Sequence, residues 1–301
     1  RLAVAAGETV RSQVWDRIAL GTASWVWAPL VIALVAALGG VVTRLVPLTV
    51  GGGVTPVRSA LTNKGQIRWW PELPAKFVAS FFTLVSGLSL GREGPAVFLG
   101  GAAGQAVGSW LRTDEGETRH LLACGAGAAM AAAFGAPLAG ILFVWEELKY
   151  SSLQSFFVPA IAAVLVATKI SAYLLSPEGR LPLFSGSDLP SQALILFLLL
   201  GLSLGLLGLV YNHGLSYGHK LFSRLRWCPP WFRPALTALP VAWVALFMGS
   251  DLLGGGQVLI TRALAGRDNI AVAAALLVVK LALTIICAAS RASGGDDERY
   301  S

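Results

Sequence analysis

Long apolar stretches recur along the chain and limit the folds that it can adopt. Segments long enough to span a bilayer as helices occupy about residues 24–43, 73–90, 153–175, 191–211, 235–249 and 270–289. Only 13% of the residues are charged, about half the share in soluble domains, about 25%. The sequence therefore predicts an all-α integral membrane protein, with membrane lipids around its helices.

Other apolar segments are short or are interrupted by glycine and proline. They lie at about residues 94–111, 121–134 and 136–145. Irregular backbone at membrane depth is tolerated only where it is buried in protein or lines a cavity. The 34 glycines therefore favour discontinuous helices around a pathway over a simple helical bundle.

A charged pair lies between two of the apolar segments. Residues 91–95 read Gly-Arg-Glu-Gly-Pro, and an ionisable residue at membrane depth indicates function. Glycine and proline at this spacing are typical of a helix start. The unpaired N–H groups and the positive dipole end of such a helix favour an anion. We therefore predict an anion site at the start of this helix, with the Glu93 carboxylate as a tethered anion beside it.

The two halves of the chain are weakly similar. An offset of 204 residues superposes residues 51–52 on residues 255–256, and Lys76 on Lys280. Internal similarity of this kind is typical of transporters whose two repeats enclose a site built from helix ends. The glycine triplet and the lysine-bearing helix are therefore expected in both repeats.

Two other classes of function have weaker support. The net charge of +7 is explained by the concentration of lysine and arginine in cytoplasmic loops of membrane proteins, so we expect no nucleic-acid partner. The cysteines and histidines show no metal-ligand spacing, so we expect no metal site and no cofactor.

A serine hydrolase is the enzymatic alternative. The pattern G-x-S-x-G occurs at residues 87–91 and 201–205, but a nucleophile of this type sits on a sharp turn between a strand and a helix. Both matches lie in segments predicted to be continuous apolar helices. We therefore expect no catalytic residues and no enzymatic activity.

Residues 91–95 carry the G-R-E-G-P signature of the CLC family of chloride channels and proton-coupled chloride exchangers, which the chain resembles. The run at 132–143 is similar to the family's A-A-F-N-A-P-L-A-G-I-L-F, with glycine in place of asparagine. Residues 51–55 stand where the family carries G-S-G-I-P. The resemblance covers about residues 24–295 and is most specific within residues 68–147.

This resemblance implies a CLC-like bundle of inverted repeats, a homodimer with one pore in each subunit, and chloride and protons as the transported ions. Glu93 matches the glutamate that competes with anions for the path. Glu147, which follows Glu146, matches the inner proton-transfer glutamate of exchangers. The resemblance places the remaining site residues along the anion path or near it, namely Gly51, Gly52, Gly53, Val54, Lys76, Arg92, Gly94 and Pro95.

A carboxylate can occupy an anion site when it is ionised and leave the site when it is protonated, so protons and anions exclude each other there. We therefore expect proton-coupled chloride antiport in a bacterial inner membrane, with a passive anion channel as the alternative. Purely structural roles also remain open for individual residues. Glu93 could form a structural ion pair with Arg92, Glu147 could be a solvated helix end, and Lys76 could be a snorkelling cation.

The sequence departs from the family pattern at several positions. Gly52 replaces the serine whose hydroxyl faces the central anion in the family, and Thr55 stands at the proline of that motif. The family's G-x-F-x-P motif is expected near Gly295, where the sequence differs. We therefore expect a first repeat over residues 1–176, a truncated second repeat over residues 190–301, and no soluble regulatory domain. A non-transporting fragment or an assembly subunit is a further alternative.

Overall fold

The structure is a computed structural model of the 301-residue chain. It describes residues 9–13, 15, 24–62, 67–148, 153–174, 193–225, 227–266 and 269–293, and these residues contain helices and no strand. From Ser24 onward the helices are α1 (Ser24–Leu45), α2 (Val54–Leu61), α3 (Trp69–Val85), α4 (Glu93–Leu111), α5 (Glu115–Phe134), α6 (Pro137–Glu146), α7 (Leu153–Leu174), α8 (Ala193–Arg224), α9 (Arg233–Met248), α10 (Gln257–Leu264) and α11 (Ile270–Ala289).

Several helices are long and apolar enough to cross a membrane. In the described ranges these are Val26–Leu45, Phe157–Leu174, Leu194–Arg224, Pro230–Met248 and Ile270–Ala289. They confirm the predicted all-α membrane protein. The predicted segment 191–211 is part of the 32-residue helix α8, which continues to Arg224 beyond the apolar stretch.

One predicted segment ends earlier than its apolar composition indicated. Residues 73–90 were expected to be helical throughout, but α3 ends at Val85. The chain then turns at Gly87, whose φ of +70° is a conformation that favours glycine. Residues 86–90 are buried in a non-helical form before α4 begins at Glu93. The expectation that the G-x-S-x-G pattern at 87–91 lies in a continuous helix is therefore wrong.

Small residues let α4 and α5 approach closely. Gly100 lies against the backbone of Gly125, and Gly104 lies against the backbone of Leu121, so that a Cβ on either glycine of α4 would overlap α5. From the first contact to the second, the residue number rises in α4 and falls in α5, so the two helices are antiparallel. Close approach at glycine is the usual way in which membrane helices gain packing contacts.

Two hydrophobic cores hold the helices together. The first core joins α2, α4, α5, α6 and α7 around Val57, Phe98, Leu122 and Val144. The second core joins α1, α9 and α11 with the buried connection after α3, around Ile32, Leu88, Val241 and Leu283. The connection at 86–92 therefore packs in the second core through Leu88 and Leu90, and α1 packs with helices from the other end of the chain.

The order of elements repeats. A 3₁₀ turn at Pro47–Thr49 precedes α2, and a 3₁₀ turn at Ser250–Leu252 precedes α10. The glycine before each eight-residue helix has a positive φ, at Gly53 and Gly256. These glycines are 203 residues apart, so the offset of 204 that we predicted for the glycine triplets is wrong by one residue. The family motif expected near Gly295 and the boundary between the two predicted repeats, at residues 176–190, lie outside the described residues.

Candidate anion pathway

Three non-helical segments meet at the start of α4. The backbone N–H of Gly254 donates to the carbonyl oxygen of Gly87 at 2.9 Å, which joins the segment before α10 to the connection after α3. On the other side, Gly94 lies so close to the backbone of Gly52 that a Cβ would overlap it. The structure therefore brings the predicted residues 51–54 and 92–95 together.

The starts of α2 and α4 are adjacent. Val54 is the first residue of α2, and Gly53 before it contacts the Gly94 carbonyl and the Phe98 side chain. The first N–H groups of a helix have no partner within the helix, and the dipole is positive at this end. Two helix starts in contact concentrate N–H donors and positive potential in a small region, which suits an anion.

The Glu93 side chain folds back at the start of α4. Its carboxylate lies over Gly91, where a Cβ would collide with it, and the side chain is half-buried. In the described residues no cation forms an ion pair with Glu93, so the structural pair with Arg92 is not seen. The negative charge instead lies at the positive end of the α4 dipole.

A largely apolar cavity of 340 Å³ adjoins this helix start, between α3, α4 and α5. Arg92 and Pro95 line it, together with side chains such as Phe77, Leu84 and Leu99. Arg92 is the charged residue of this lining and adjoins the predicted anion site.

Lys76 is fully buried and fixes the loop before α2. Its Nζ donates to the carbonyl oxygens of Thr49 at 3.0 Å and Gly51 at 2.5 Å, and it lies 5.6 Å from the centroid of the Phe98 ring. The alternative that Lys76 is a snorkelling cation is therefore wrong. The C=O of Gly51 and the N–H of Gly52 belong to one trans peptide and point in opposite directions, so the Gly52 N–H points away from Lys76.

Lys280 of α11 repeats this arrangement before α10. Its Nζ donates to the Leu252 carbonyl oxygen at 2.8 Å and to the Gly254 carbonyl oxygen. Lys280 is half-buried, whereas Lys76 has no exposed surface. The sequence offset identified the two lysines as equivalent, but no sequence signal named the carbonyl groups that they bind.

Two hydroxyl pairs connect the two halves of the chain. The side chains of Ser80 and Ser293 are hydrogen-bonded at 3.0 Å, and those of Ser89 and Thr284 at 2.9 Å. An offset of 204 relates Ser80 to Thr284 and Ser89 to Ser293. The two hydrogen bonds therefore join equivalent pairs of positions, with the two repeats exchanged. The sequence reasoning missed these residues, although hydroxyl residues at a common offset in apolar segments were a signal.

The serines of the two G-x-S-x-G patterns have partners that are not bases. Ser89 is bonded to Thr284, and the Ser203 hydroxyl donates to the Leu200 carbonyl oxygen at 2.8 Å on the exposed face of α8. His213 contacts the Leu209 carbonyl oxygen of its own helix at 2.9 Å. Neither serine has the geometry of a hydrolase nucleophile.

Glu146 and Glu147 lie at the C-terminal end of α6. Glu146 is the last residue of the helix and Glu147 follows it, and both are exposed. Neither forms an ion pair with a described residue, and the neighbouring Lys149 lies outside those residues. Because α4 and α6 both pack on α5, Glu93 and Glu147 occupy separate helix ends on one scaffold.

The sequence profile described as voltage gated chloride channel matches residues 32–296 of the chain. The chain belongs to this family. A relative from Vibrio parahaemolyticus, named H(+)/Cl(-) exchange transporter ClcA, is 35% identical over 96% of this chain and 62% of its own length. A protein of the same name from Yersinia pestis is 34% identical over 90% of this chain and 58% of its own.

Solved structures of this family have the same fold. The crystal structure of a slow cyanobacterial Cl⁻/H⁺ antiporter aligns with a TM-score of 0.88 and 28% identity, over 97% of this chain and 70% of that chain. A CLC-type fluoride/proton antiporter aligns with a TM-score of 0.77 and 21% identity, over 98% and 75% of the two chains. The chain spans about three-fifths of the length of the ClcA relatives. The prediction of a bacterial inner-membrane protein of the CLC family is confirmed.

Proposed function

We propose that this chain forms the anion path of a proton-coupled chloride antiporter in which Glu93 is the gate. The observation that carries the proposal is the position of the Glu93 carboxylate, folded over Gly91 at the adjoining starts of α2 and α4. The names of the Vibrio and Yersinia relatives support chloride and protons as the transported ions.

The gate works through charge. When Glu93 is ionised, its carboxylate is held by the positive helix ends and by the potential of Arg92, and it excludes a chloride ion from the same region. Protonation removes this attraction, so the side chain can leave and chloride can enter. One proton is therefore taken up for each opening, which is the exclusion that an antiporter needs.

Glu147 supplies the second proton position in this proposal. It is exposed at the end of α6, where water can reach it, and it lies on the scaffold of α5 that also carries α4.

Gly52 keeps a backbone N–H donor for the anion but has no hydroxyl, so the path depends on backbone groups at this position.

We infer a homodimer and two repeats for the intact transporter. Exposed apolar side chains of α6 and α7 offer a surface for a second copy, among them Leu138, Leu142, Trp145, Ile161 and Leu165. The repeated 3₁₀ turn, eight-residue helix and carbonyl-binding lysine support a division near residues 176–190 into two repeats.

Proton movement in chloride-loaded vesicles tests the role of Glu93. The chain is reconstituted, a chloride gradient is imposed, and the external pH and the chloride efflux are recorded together. We expect wild-type chain to move protons against their gradient. The glutamine side chain of Glu93→Gln stays uncharged and cannot take up a proton, so chloride flux should continue without proton movement. Glu147→Gln should also uncouple proton movement from chloride flux.

Glu115→Gln is the matched control, because Glu115 is an exposed glutamate at the start of α5. It should couple protons as the wild type does. Continued proton pumping by Glu93→Gln would remove Glu93 from the mechanism. Chloride flux in the wild type without proton movement would support the passive channel, and no chloride flux at all would support the non-transporting fragment.

A further inference from the structure

A second cavity lies between the end of α1 and the start of α9, beside the loop that Lys76 binds. Its volume is 260 Å³. The lining residues come from the end of α1, the loop before α2, the turn before α9 and the residues after α11, namely Thr43, Arg44, Pro47, Val50, Pro230, Trp231 and Arg291. None of these residues lines the cavity beside Glu93.

The cavity is positively charged. Arg44 and Arg291 line it, and Arg233 lies close enough to Arg291 for their charges to repel. In the described part of the chain no carboxylate forms an ion pair with these three arginines. The Nε of Arg233 is buried without a hydrogen-bond partner there. Arg233 lies beside Arg291 and outside the cavity lining, and a buried charged group without a partner is costly unless an anion joins it.

The backbone of Arg291 points to the same conclusion. Arg291 has a φ of +63°, a left-handed conformation that disfavours side chains. An offset of 204 relates it to Gly87, where the same conformation, at a φ of +70°, is adopted by glycine. An arginine therefore occupies a position whose geometry suits glycine, and this arginine lines the cavity.

The position of the cavity identifies the class of anion. Arg44 is in the last turn of the membrane-spanning α1, and Trp231 lies just before α9 and packs against Gly40 of α1. The end of one spanning helix thus meets the start of another. The guanidinium carbon of Arg44 lies 5.5 Å from the centroid of the Trp231 ring. Tryptophan and arginine at helix ends are typical of the headgroup region, and guanidinium forks match the oxygen geometry of phosphate.

We propose that Arg44, Arg291 and Arg233 form a binding site for a phosphate group at the membrane boundary. The group is a lipid phosphodiester or a free phosphate, which have the same oxygens for the arginines to bind. Basic pockets between membrane helices commonly bind anionic headgroups.

Native mass spectrometry of the detergent-purified chain tests the proposal. The first dissociation constant is measured for phosphatidylglycerol and for diacylglycerol with the same acyl chains, which has no phosphate. We expect phosphatidylglycerol to bind more tightly. Arg291→Gly and Arg44→Gln should each weaken it by about five-fold, the contribution of one arginine near an anionic surface. Arg291→Gly also relieves an unfavourable φ, so loss of folding does not confound the result.

Arg112→Gly is the matched control, because Arg112 also has a positive φ, 55°, and is exposed at the end of α4 away from the cavity. It should bind phosphatidylglycerol as the wild type does. Displacement of the lipid by millimolar inorganic phosphate would support the site and assign a soluble ligand. Weakening by both cavity variants without such displacement would support it and assign the lipid headgroup. Equal binding of the two lipids, or unchanged binding in both cavity variants, would overturn the proposal.

Discussion

Replacement of Lys76 by methionine tests whether one buried cation holds the loop before α2. Methionine has nearly the length of lysine, so Lys76→Met leaves little cavity, but the carbonyl groups of Thr49 and Gly51 lose their donor. A buried polar group without a partner costs about 1–3 kcal/mol. Because two carbonyl groups lose their donor, we expect Lys76→Met to lower the free energy of unfolding by about 2–6 kcal/mol.

Two matched variants make the test specific. Lys280→Met removes the same kind of bond pair from a half-buried site, where water can replace the donor, so we expect a loss below about 2 kcal/mol. Lys169→Met changes an exposed lysine of α7 and should stay within about 0.5 kcal/mol of the wild type. The assay is equilibrium unfolding in mixed detergent micelles, followed by circular dichroism. A Lys76→Met chain as stable as the Lys169→Met chain would refute the reasoning.

Two further predictions concern packing between helices. A double-mutant cycle of Ser80→Ala and Ser293→Ala should give a coupling of about 0.6 kcal/mol, the average for hydrogen bonds between membrane helices. Ser80→Ala and Ser89→Ala, which belong to different pairs, should be additive, and a coupling of equal size there would contradict the pairing. Gly104→Ala should cost about 1–3 kcal/mol by overpacking α5, whereas Gly205→Ala on the open face of α8 should not destabilise. Equal stability of the two glycine variants would show that α4 and α5 are not in close contact.

The sequence predicted the features that are encoded locally. Apolar length identified the membrane helices, and residues 91–95 marked the start of α4 because glycine, proline and a charged pair occur there together. Each of these signals lies within about twenty residues of sequence, the scale on which composition and periodicity carry information.

Other features depend on residues that are distant in the chain. Lys76 binds carbonyl groups 25 and 27 positions away. Every residue has a backbone carbonyl group, so the residue types do not show which of these groups accepts the bond. The end of α3 at Val85 was missed because the following residues are apolar in either conformation. The glycine offset is wrong by one residue because the triplets allow two alignments. The positive φ values at Gly53 and Gly256 and the carbonyl groups that Lys76 and Lys280 bind distinguish the two alignments.

The reversal potential under a pH gradient tests the central claim most directly. The chain is incorporated into a planar bilayer with equal chloride on both sides, and one side is then acidified. An antiporter in which Glu93 exchanges a proton for chloride predicts a reversal potential that moves away from zero with the pH difference, and no such shift for Glu93→Gln. A wild-type reversal potential that stays at zero, while chloride current flows, would contradict proton coupling and identify a passive chloride channel.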